Sequence, residues 1–125
     1  MIIPDTSVWI EFFRGNALIH HTLTSEIERQ NINAVECVFA ELLQGAKNKR
    51  EIKIISEYWD YLPKIEWKGM WLEAGLLSAQ GRYCSKGVGL IDAVIIACAK
   101  RSQSKIWTLD KKLRAVLSDA NLFDE

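Results

Sequence analysis

The sequence predicts an α/β fold, a three-layer sandwich in which a central parallel sheet of four or five strands is flanked by helices. Short apolar runs alternate along the chain with longer helical patterns, and acidic or hydroxyl residues follow several of the runs directly. Strands that alternate with helices form parallel sheets covered on both faces. The length and the lack of any linker or repeat predict one domain over residues 1–125.

Each predicted strand is a short apolar run bounded by polar or turn-forming residues. The first run ends at Pro4 and Asp5, and the third opens at Pro63 and places Ile65 and Trp67 on one face. The predicted strands are residues 1–4, 31–35, 62–67 and 105–109, with a last edge strand at 121–123.

The helices are predicted from capping residues and from apolar side chains at helical spacing. Leu18, Leu23 and Ile27 lie on one face of the second helix, and Gly45 closes the third. The stretch 90–101 is apolar nearly all round, which indicates a buried helix. The predicted helices are residues 8–13, 17–30, 36–46, 49–59, 68–83, 90–101 and 111–118. The glycine-containing stretch 85–89 is interpreted as a turn rather than a phosphate loop.

The composition is that of a soluble protein with a substantial core. Hydrophobic residues make up 49% and charged residues 26% of the chain, and no apolar run reaches the ~20 residues that span a bilayer. The opening MII suggests a strand rather than a signal peptide. The three cysteines fit neither a disulfide framework nor a zinc site, so Cys37 and Cys98 are interpreted as core residues. We expect no membrane association and a cytoplasmic location.

The formal net charge is zero, but the charge is unevenly distributed. Residues 82–114 contain eight basic side chains and two acids. Such a surface suits a polyanionic ligand, although a solvated helix face explains scattered lysines equally well. The basic residues are Arg82, Lys86, Lys100, Arg101, Lys105, Lys111, Lys112 and Arg114, and the acids are Asp92 and Asp110.

Four acids occupy apolar surroundings: Asp5, Glu41, Asp92 and Asp110. Their contexts are MIIPDTSVWI, VFAELLQGA, GLIDAVIIACA and KIWTLDKKL. A carboxylate removed from water is costly unless something compensates it. Helix capping explains Asp5 and Asp110 as structural residues, and the helix dipole explains Asp92. Glu41 is the hardest to explain in this way, because apolar or small residues surround it on its predicted helix.

These four acids are expected to converge at one edge of the sheet. Asp5 and Asp110 each follow a predicted strand, and ligands of parallel sheets bind beyond the carboxyl ends of the strands. Carboxylates brought together raise one another's pKa unless a cation is present. Mg²⁺ and Mn²⁺ prefer oxygen ligands, and such a site suits hydrolysis of a phosphodiester. The chain contains no Walker loop for nucleoside triphosphates.

Four motifs, in their order along almost the whole chain, resemble those of the PIN domain, and in particular of VapC-like ribonuclease toxins: DTSVWIE, AELLQG, GLIDAVIIACA and WTLD. The resemblance implies a PIN-like fold, a Mg²⁺ or Mn²⁺ site and endonucleolytic cleavage of RNA. It also implies a homodimer and a cognate antitoxin that occludes the site.

The family's core acids match Asp5, Glu41 and Asp92, and its fourth acid matches Asp110. Polar positions near the metal match Thr6 or Ser7, and Thr108. The chain departs from the family pattern at Val35, Glu36 and Leu113, which bears on the shape of the substrate groove more than on the metal site. The residues expected to contact RNA are Arg82, Lys86, Lys111 and Lys112.

Two other functions compete with a metal-dependent endoribonuclease. One is a catalytically silent PIN-like module that binds RNA or protein, which retention of all four acids argues against. The other is a phosphoacceptor receiver domain, which requires an aspartate at the end of the third strand, where this chain has Trp67 and Lys68. His20 and His21 are interpreted as surface residues, and the tryptophans as core or interface residues.

Overall fold

The computed structural model describes residues 1–124, and its elements follow the predicted order with small changes in length. Short 3₁₀ turns at Cys84–Lys86 and Asp119–Asn121 complete the regular structure. No helix in the described residues combines the length and the apolar character that a membrane span requires. In chain order the main elements are β1 (Ile2–Pro4), α1 (Thr6–Phe13), α2 (Ala17–Glu28), α3 (Glu36–Gln44), α4 (Lys49–Tyr61), α5 (Met70–Gly81), α6 (Leu90–Ser102), β2 (Lys105–Trp107) and α7 (Lys111–Ala115).

The sheet is parallel, as predicted, and its centre is the β1–β2 pair. Ile3 lies opposite Ile106 in the register of this pair. Single parallel bridges extend the same order outward on both sides, joining Ile2 to Ile32, Ala34 to Lys64, and Ile106 to Leu122. Five chain segments therefore lie side by side in the order 64, 32–34, 2–4, 105–107, 122.

Only two of the five segments are long enough to count as strands, fewer than the four or five predicted. Ala34 donates its N–H to the carbonyl of Pro63 at 2.8 Å and accepts from Ile65 at 3.0 Å. Pro63 has no N–H with which to extend this ladder, which limits the contact between the two segments. The predicted strands at 31–35, 62–67 and 121–123 are present only as isolated bridges, two in the first segment and one in each of the others.

The core lies between the sheet and the helices. All the side chains from Ala93 to Ala99 on α6 are buried, as the apolar pattern predicted. Trp9 is fully buried and packs against Phe12 and Phe39, with ring centroids 5.5 and 5.2 Å away. Cys37 and Cys98 are buried, free thiols, which confirms their interpretation as core residues.

The third helix is buried on one face only, although its sequence is apolar on both. On α3 the side chains of Cys37, Val38, Phe39 and Leu42 are buried, whereas Ala40, Leu43 and Gln44 are exposed. The solvent-facing side of this helix carries apolar residues, so its pattern does not distinguish the two faces. Glu41 lies at the boundary between them and is half-buried.

Replacing Ile95 by alanine should lower the free energy of unfolding by about 2–5 kcal/mol, because this side chain is fully buried and its loss leaves a cavity. Urea denaturation measures the change. Ile52→Ala provides the control, since Ile52 is 45% exposed on α4 and should stay within about 0.5 kcal/mol of the wild type. Equal losses in both variants would contradict the position of the core.

Candidate active site

Asp5 lies at the carboxyl end of β1 and is 3% exposed. One of its oxygens, Oδ1, accepts hydrogen bonds from the N–H of Val8 at 3.2 Å and from the hydroxyl of Ser7. The other, Oδ2, accepts from the hydroxyl of Thr108, which follows β2. Asp5 is therefore the N-cap of α1, as capping chemistry predicted, and it also connects the ends of both strands.

Burial and hydrogen bonding act on Asp5 in opposite directions. Burial raises the pKa of its carboxyl above the usual 3.8, because the charged form loses its hydration. The hydrogen bonds from Ser7, Thr108 and Val8 favour the charged form and oppose this rise. The net direction is upward, so the donors hold the carboxylate in position without fully offsetting its desolvation.

The end of β2 is held by a matching set of hydrogen bonds. Asp110 accepts from the N–H of Lys112 at 2.8 Å and is the N-cap of α7. Its own N–H donates to the hydroxyl of Thr108 at 3.0 Å. The N–H of Leu109 donates to the hydroxyl of Ser7, also at 3.0 Å. Ser7 and Thr108 thus each join the two strand ends.

Glu41 reaches the same region from α3. The hydroxyl of Thr6, the first residue of α1, donates to Glu41 Oε1 at 2.6 Å. The three hydroxyl residues expected near the site, Thr6, Ser7 and Thr108, therefore all bond to one of the acids or beside it. Sequence order alone does not reveal that Thr6 contacts Glu41 while Ser7 contacts Asp5.

Asp92 lies in the first turn of α6 and is half-buried. Its pKa is raised from 3.8 to about 6, first by burial and then by the negative charges of Asp5, Asp110 and Glu41. The N–H of Gly89, the N-cap of α6, opposes the rise. This electrostatic coupling joins four acids that come from four different parts of the chain.

The chain itself does not neutralise this charge. Among residues 1–124, the ion pairs involve none of the four acids. Oxygen donors with excess negative charge are the ligand chemistry that Mg²⁺ and Mn²⁺ prefer, so the donor set fits such an ion. However, no group of three or more His, Cys, Asp or Glu side chains in this part of the chain is arranged to hold a metal as the side chains stand.

The basic residues expected to bind RNA are only partly gathered together. Lys86, Lys111 and Lys112 line one concavity of about 520 Å³ beside the start of α7. Arg82 is exposed at the end of α5 and does not line it. Tyr83 also lines this concavity and was missed in the sequence, where its position between Arg82 and Lys86 was the available signal.

Comparison with known proteins identifies the family. Residues 2–117 match the model of the PIN domain. The chain belongs to the PIN domain family. PIN domains are generally nucleases, and PIN nucleases typically use divalent metal ions. All four acids and the three hydroxyl residues of the site lie within the matched residues. No curated protein matches the sequence significantly.

Solved structures share the PIN fold at low sequence identity. A toxin–antitoxin complex from Klebsiella pneumoniae aligns with a TM-score of 0.73 and 16% identity, covering 98% of this chain and 100% of that one. VapBC2 from Rickettsia felis, bound to a DNA fragment from its promoter, aligns at 0.72 and 18%, covering 99% and 98%. PAE2754 from Pyrobaculum aerophilum aligns at 0.60 and 15%, covering 98% and 87%. These likenesses confirm the predicted α/β PIN fold.

Asp92→Asn should stabilise the metal-free protein near neutral pH. Because the folded-state pKa of Asp92 is raised, its favourable contribution is present below about pH 4 and is lost as the pH rises through about 6. The variant should therefore melt at a higher temperature than the wild type at about pH 7.5 in EDTA, and the difference should vanish towards about pH 4.

Circular dichroism melting curves across this pH range measure the effect. Asp60→Asn is the control, since Asp60 is an exposed carboxylate on α4 and should show no comparable gain. A lower melting temperature for Asp92→Asn at neutral pH would mean that Asp92 is not under electrostatic strain from its neighbours.

Thr108→Val should lower the free energy of unfolding by about 1–3 kcal/mol, because Thr108 is 1% exposed and its hydroxyl serves both Asp5 and the N–H of Asp110. Chemical denaturation measures the loss. Thr24→Val on α2 is the matched control and should change little. If Thr108→Val had the same free energy of unfolding as the wild type, the junction of the strand ends would not depend on this hydroxyl.

Proposed function

We propose that this PIN protein is an endoribonuclease that depends on Mg²⁺ or Mn²⁺ and acts as the toxin of a toxin–antitoxin pair. The observation that carries the proposal is the pKa of Asp92, raised to about 6 in part by Asp5, Asp110 and Glu41. Burial is the largest cause of this rise, and the neighbouring negative charges add to it, so a bound cation would favour the ionised form of Asp92. Membership of a family of nucleases supplies the reaction class.

The residues that would hold the metal are Asp5, Glu41, Asp92 and Asp110. A divalent ion held by them would activate water for attack and would neutralise charge on the phosphate and on the leaving oxygen. Ser7 and Thr108 orient the carboxylate of Asp5 through their hydrogen bonds. Thr6 orients Glu41 in the same way. Binding would require the side chains of the partly exposed acids to move towards one another, since they do not yet form a three-ligand group.

RNA is the proposed substrate because the surface beside the acids is basic. Lys86, Lys111 and Lys112 line a concavity next to Asp110, and Arg82 lies exposed nearby in the sequence. Lysine side chains of this kind bind phosphate groups through charge without reading the base. The choice of the RNA that is cut depends on the shape of the surface that binds it.

An antitoxin is the proposed protein partner. A mostly apolar groove of about 390 Å³ lies between α1, α3 and α4, and Ile10, Phe13, Ile54 and Glu41 are among the residues that line it. A bound segment with apolar side chains would cover Glu41 and so occlude the site. Two proteins of similar structure are described as toxin–antitoxin or VapBC assemblies, which supports this partner.

A homodimer is proposed through α5. Leu72, Leu76 and Ala79 share one face of this helix, and all three are exposed, with Leu72 at 78% and Leu76 at 65%. Trp71 beside them is 47% exposed. A cluster of large exposed apolar side chains is typical of a protein–protein contact. The free thiols agree with the proposed cytoplasmic location.

The second candidate function is a catalytically silent PIN module that binds RNA or protein. One observation favours it: no three potential ligands in the described residues stand ready to hold a metal. Retention of all four acids favours the nuclease, because a module without catalysis has no need for carboxylates that raise one another's pKa.

Asp5→Asn and Asp92→Asn should each reduce RNA cleavage by at least about 100-fold, because each removes a charged ligand worth several kcal/mol in the transition state. Cleavage of a mixed RNA pool by the purified protein in Mg²⁺ or Mn²⁺ measures the loss. Circular dichroism should show that both variants remain folded. Asp60→Asn, on the exposed side of α4, should retain full activity. A wild type that cuts no RNA with either ion would refute the enzymatic function.

Mn²⁺ should raise the melting temperature of the wild type, because a ligand that binds only the folded state stabilises it by mass action, by about 2.7 kcal/mol at a hundredfold excess over Kd. The double variant Asp5→Asn/Asp92→Asn should lose this shift. Differential scanning fluorimetry with and without Mn²⁺ compares the two proteins. The same shift in both would place the metal elsewhere, while no shift in the wild type would favour the silent module.

The toxin assignment has a separate test in the neighbouring gene. A short overlapping reading frame that encodes a DNA-binding pattern should lie beside the gene for this chain. Its product, once purified, should suppress RNA cleavage by the wild type. Failure of that product to bind would count against an antitoxin in the groove between α1, α3 and α4.

A further inference from the structure

Two surface concavities meet at Tyr83. One, of about 520 Å³, lies beside α7 and contains Lys86, Lys111 and Lys112. The other, of about 670 Å³, lies between the second half of α6 and the C-terminal segment and contains Lys100 and Lys105. Tyr83 and Val116 line both. We call these two concavities together the lysine groove, defined by these five lysines with Tyr83 in the lining of both.

The lysine groove is positively charged along its length. No acidic side chain is among the residues that line either concavity. None of its five lysines takes part in an ion pair within residues 1–124. Their charges are thus available to an anionic ligand rather than committed to neighbours.

The lysines of the groove come from both ends of β2. Lys111 and Lys112 directly follow Asp110 at the carboxyl end of β2, whereas Lys105 begins that strand. The six residue steps from Lys105 to Lys111 span at most roughly 20 Å, at about 3.3 Å per extended residue. A chain of several phosphate groups, rather than one small anion, fits this length.

The ring of Tyr83 is held in place at the middle of the groove. A Cβ atom at Gly81 would overlap Cε1 of the Tyr83 ring, so the missing side chain at position 81 lets the ring lie against the end of α5. The Tyr83 N–H donates to the carbonyl of Ser78 at 3.0 Å, and its carbonyl accepts from Val88 at 2.9 Å. The ring is half-buried, which leaves part of it open to the groove.

We infer that the lysine groove binds single-stranded RNA leading away from the four acids, and that Tyr83 stacks on one of its bases. Aromatic rings stack on bases of any sequence, and unpaired lysines bind the backbone between them. A duplex has its bases already stacked, so the ring distinguishes single strands from double strands. This inference rests on the proposed function for the direction of the strand, but RNA binding itself is measured without cleavage.

Fluorescence anisotropy with a labelled single-stranded RNA of mixed sequence, in EDTA so that no metal-dependent cleavage occurs, tests the stacking. Tyr83→Leu should weaken binding about 5- to 100-fold, whereas Tyr83→Phe and Tyr83→Trp should keep it. Gly81→Ala should also weaken binding because it displaces the ring. Tyr61→Leu is the matched control, since Tyr61 is 65% exposed on α4, and should bind as the wild type does.

Salt dependence tests the lysines. The logarithm of the binding constant falls linearly with the logarithm of the salt concentration. The double variant Lys86→Ala/Lys112→Ala should make this slope shallower by about 1.4, or about 0.7 for each lost phosphate contact. Lys49→Ala/Lys53→Ala on α4 should leave the slope unchanged. An unchanged slope in the first variant, or equal losses in both, would overturn the groove as an RNA site.

Several outcomes separate this inference from the nuclease. If Tyr83→Leu and Tyr83→Phe bind single-stranded RNA with equal affinity, the proposed stacking is wrong, whether or not the protein cuts RNA. If the wild type binds RNA without cutting it, and Tyr83→Leu weakens that binding, the groove is supported as an RNA site and the nuclease function is refuted. Preference of the wild type for a duplex of equal length, or for an acidic peptide over RNA, would overturn the inference.

Discussion

The buried carboxylate of Asp5 joins the two central strands, and the arrangement of the site depends on it. It accepts hydrogen bonds from Ser7 and Val8 after β1 and from Thr108 after β2. Ser7 in turn accepts from the N–H of Leu109, so donors that follow β2 serve both Asp5 and Ser7 after β1. A carboxylate that is 3% exposed needs such donors because it has lost its water. Beside this junction the N–H of Asp110 donates to Thr108, and the hydroxyl of Thr6 donates to Glu41.

This junction gives a stable fold and an electrostatically unfavourable site at the same time. Asp5 and Asp110 are satisfied as helix caps, which is a structural role that needs no metal. Asp92 is not a helix cap, since Gly89 is the N-cap of α6. Its pKa rises to about 6 because of burial and its three acidic neighbours. A cation would relieve this repulsion, and the lysine groove keeps its positive charges close without forming ion pairs with the acids.

Much of the fold was predictable, and the candidate residues of the site were chosen, from local patterns in the sequence. The apolar run of α6 predicted its burial, and the position of Asp5 and Asp110 after strands predicted their shared edge. The burial around Glu41 was not predictable, because α3 carries apolar residues on both its exposed and its buried face. Likewise, whether a strand persists or shrinks to one bridge at Ala34 depends on its neighbour, Pro63.

The sequence by itself determined the order of strands and helices, the four acids and the basic segment, since each is a matter of residue type and spacing. Only the tertiary structure decided which hydroxyl serves which acid, and that Arg82 lies outside the concavity of the lysines. It alone decided that Tyr83 lies between two groups of lysines, because these come from three separate parts of the chain. Such contacts depend on distances in space between residues far apart in sequence, and no local pattern encodes them.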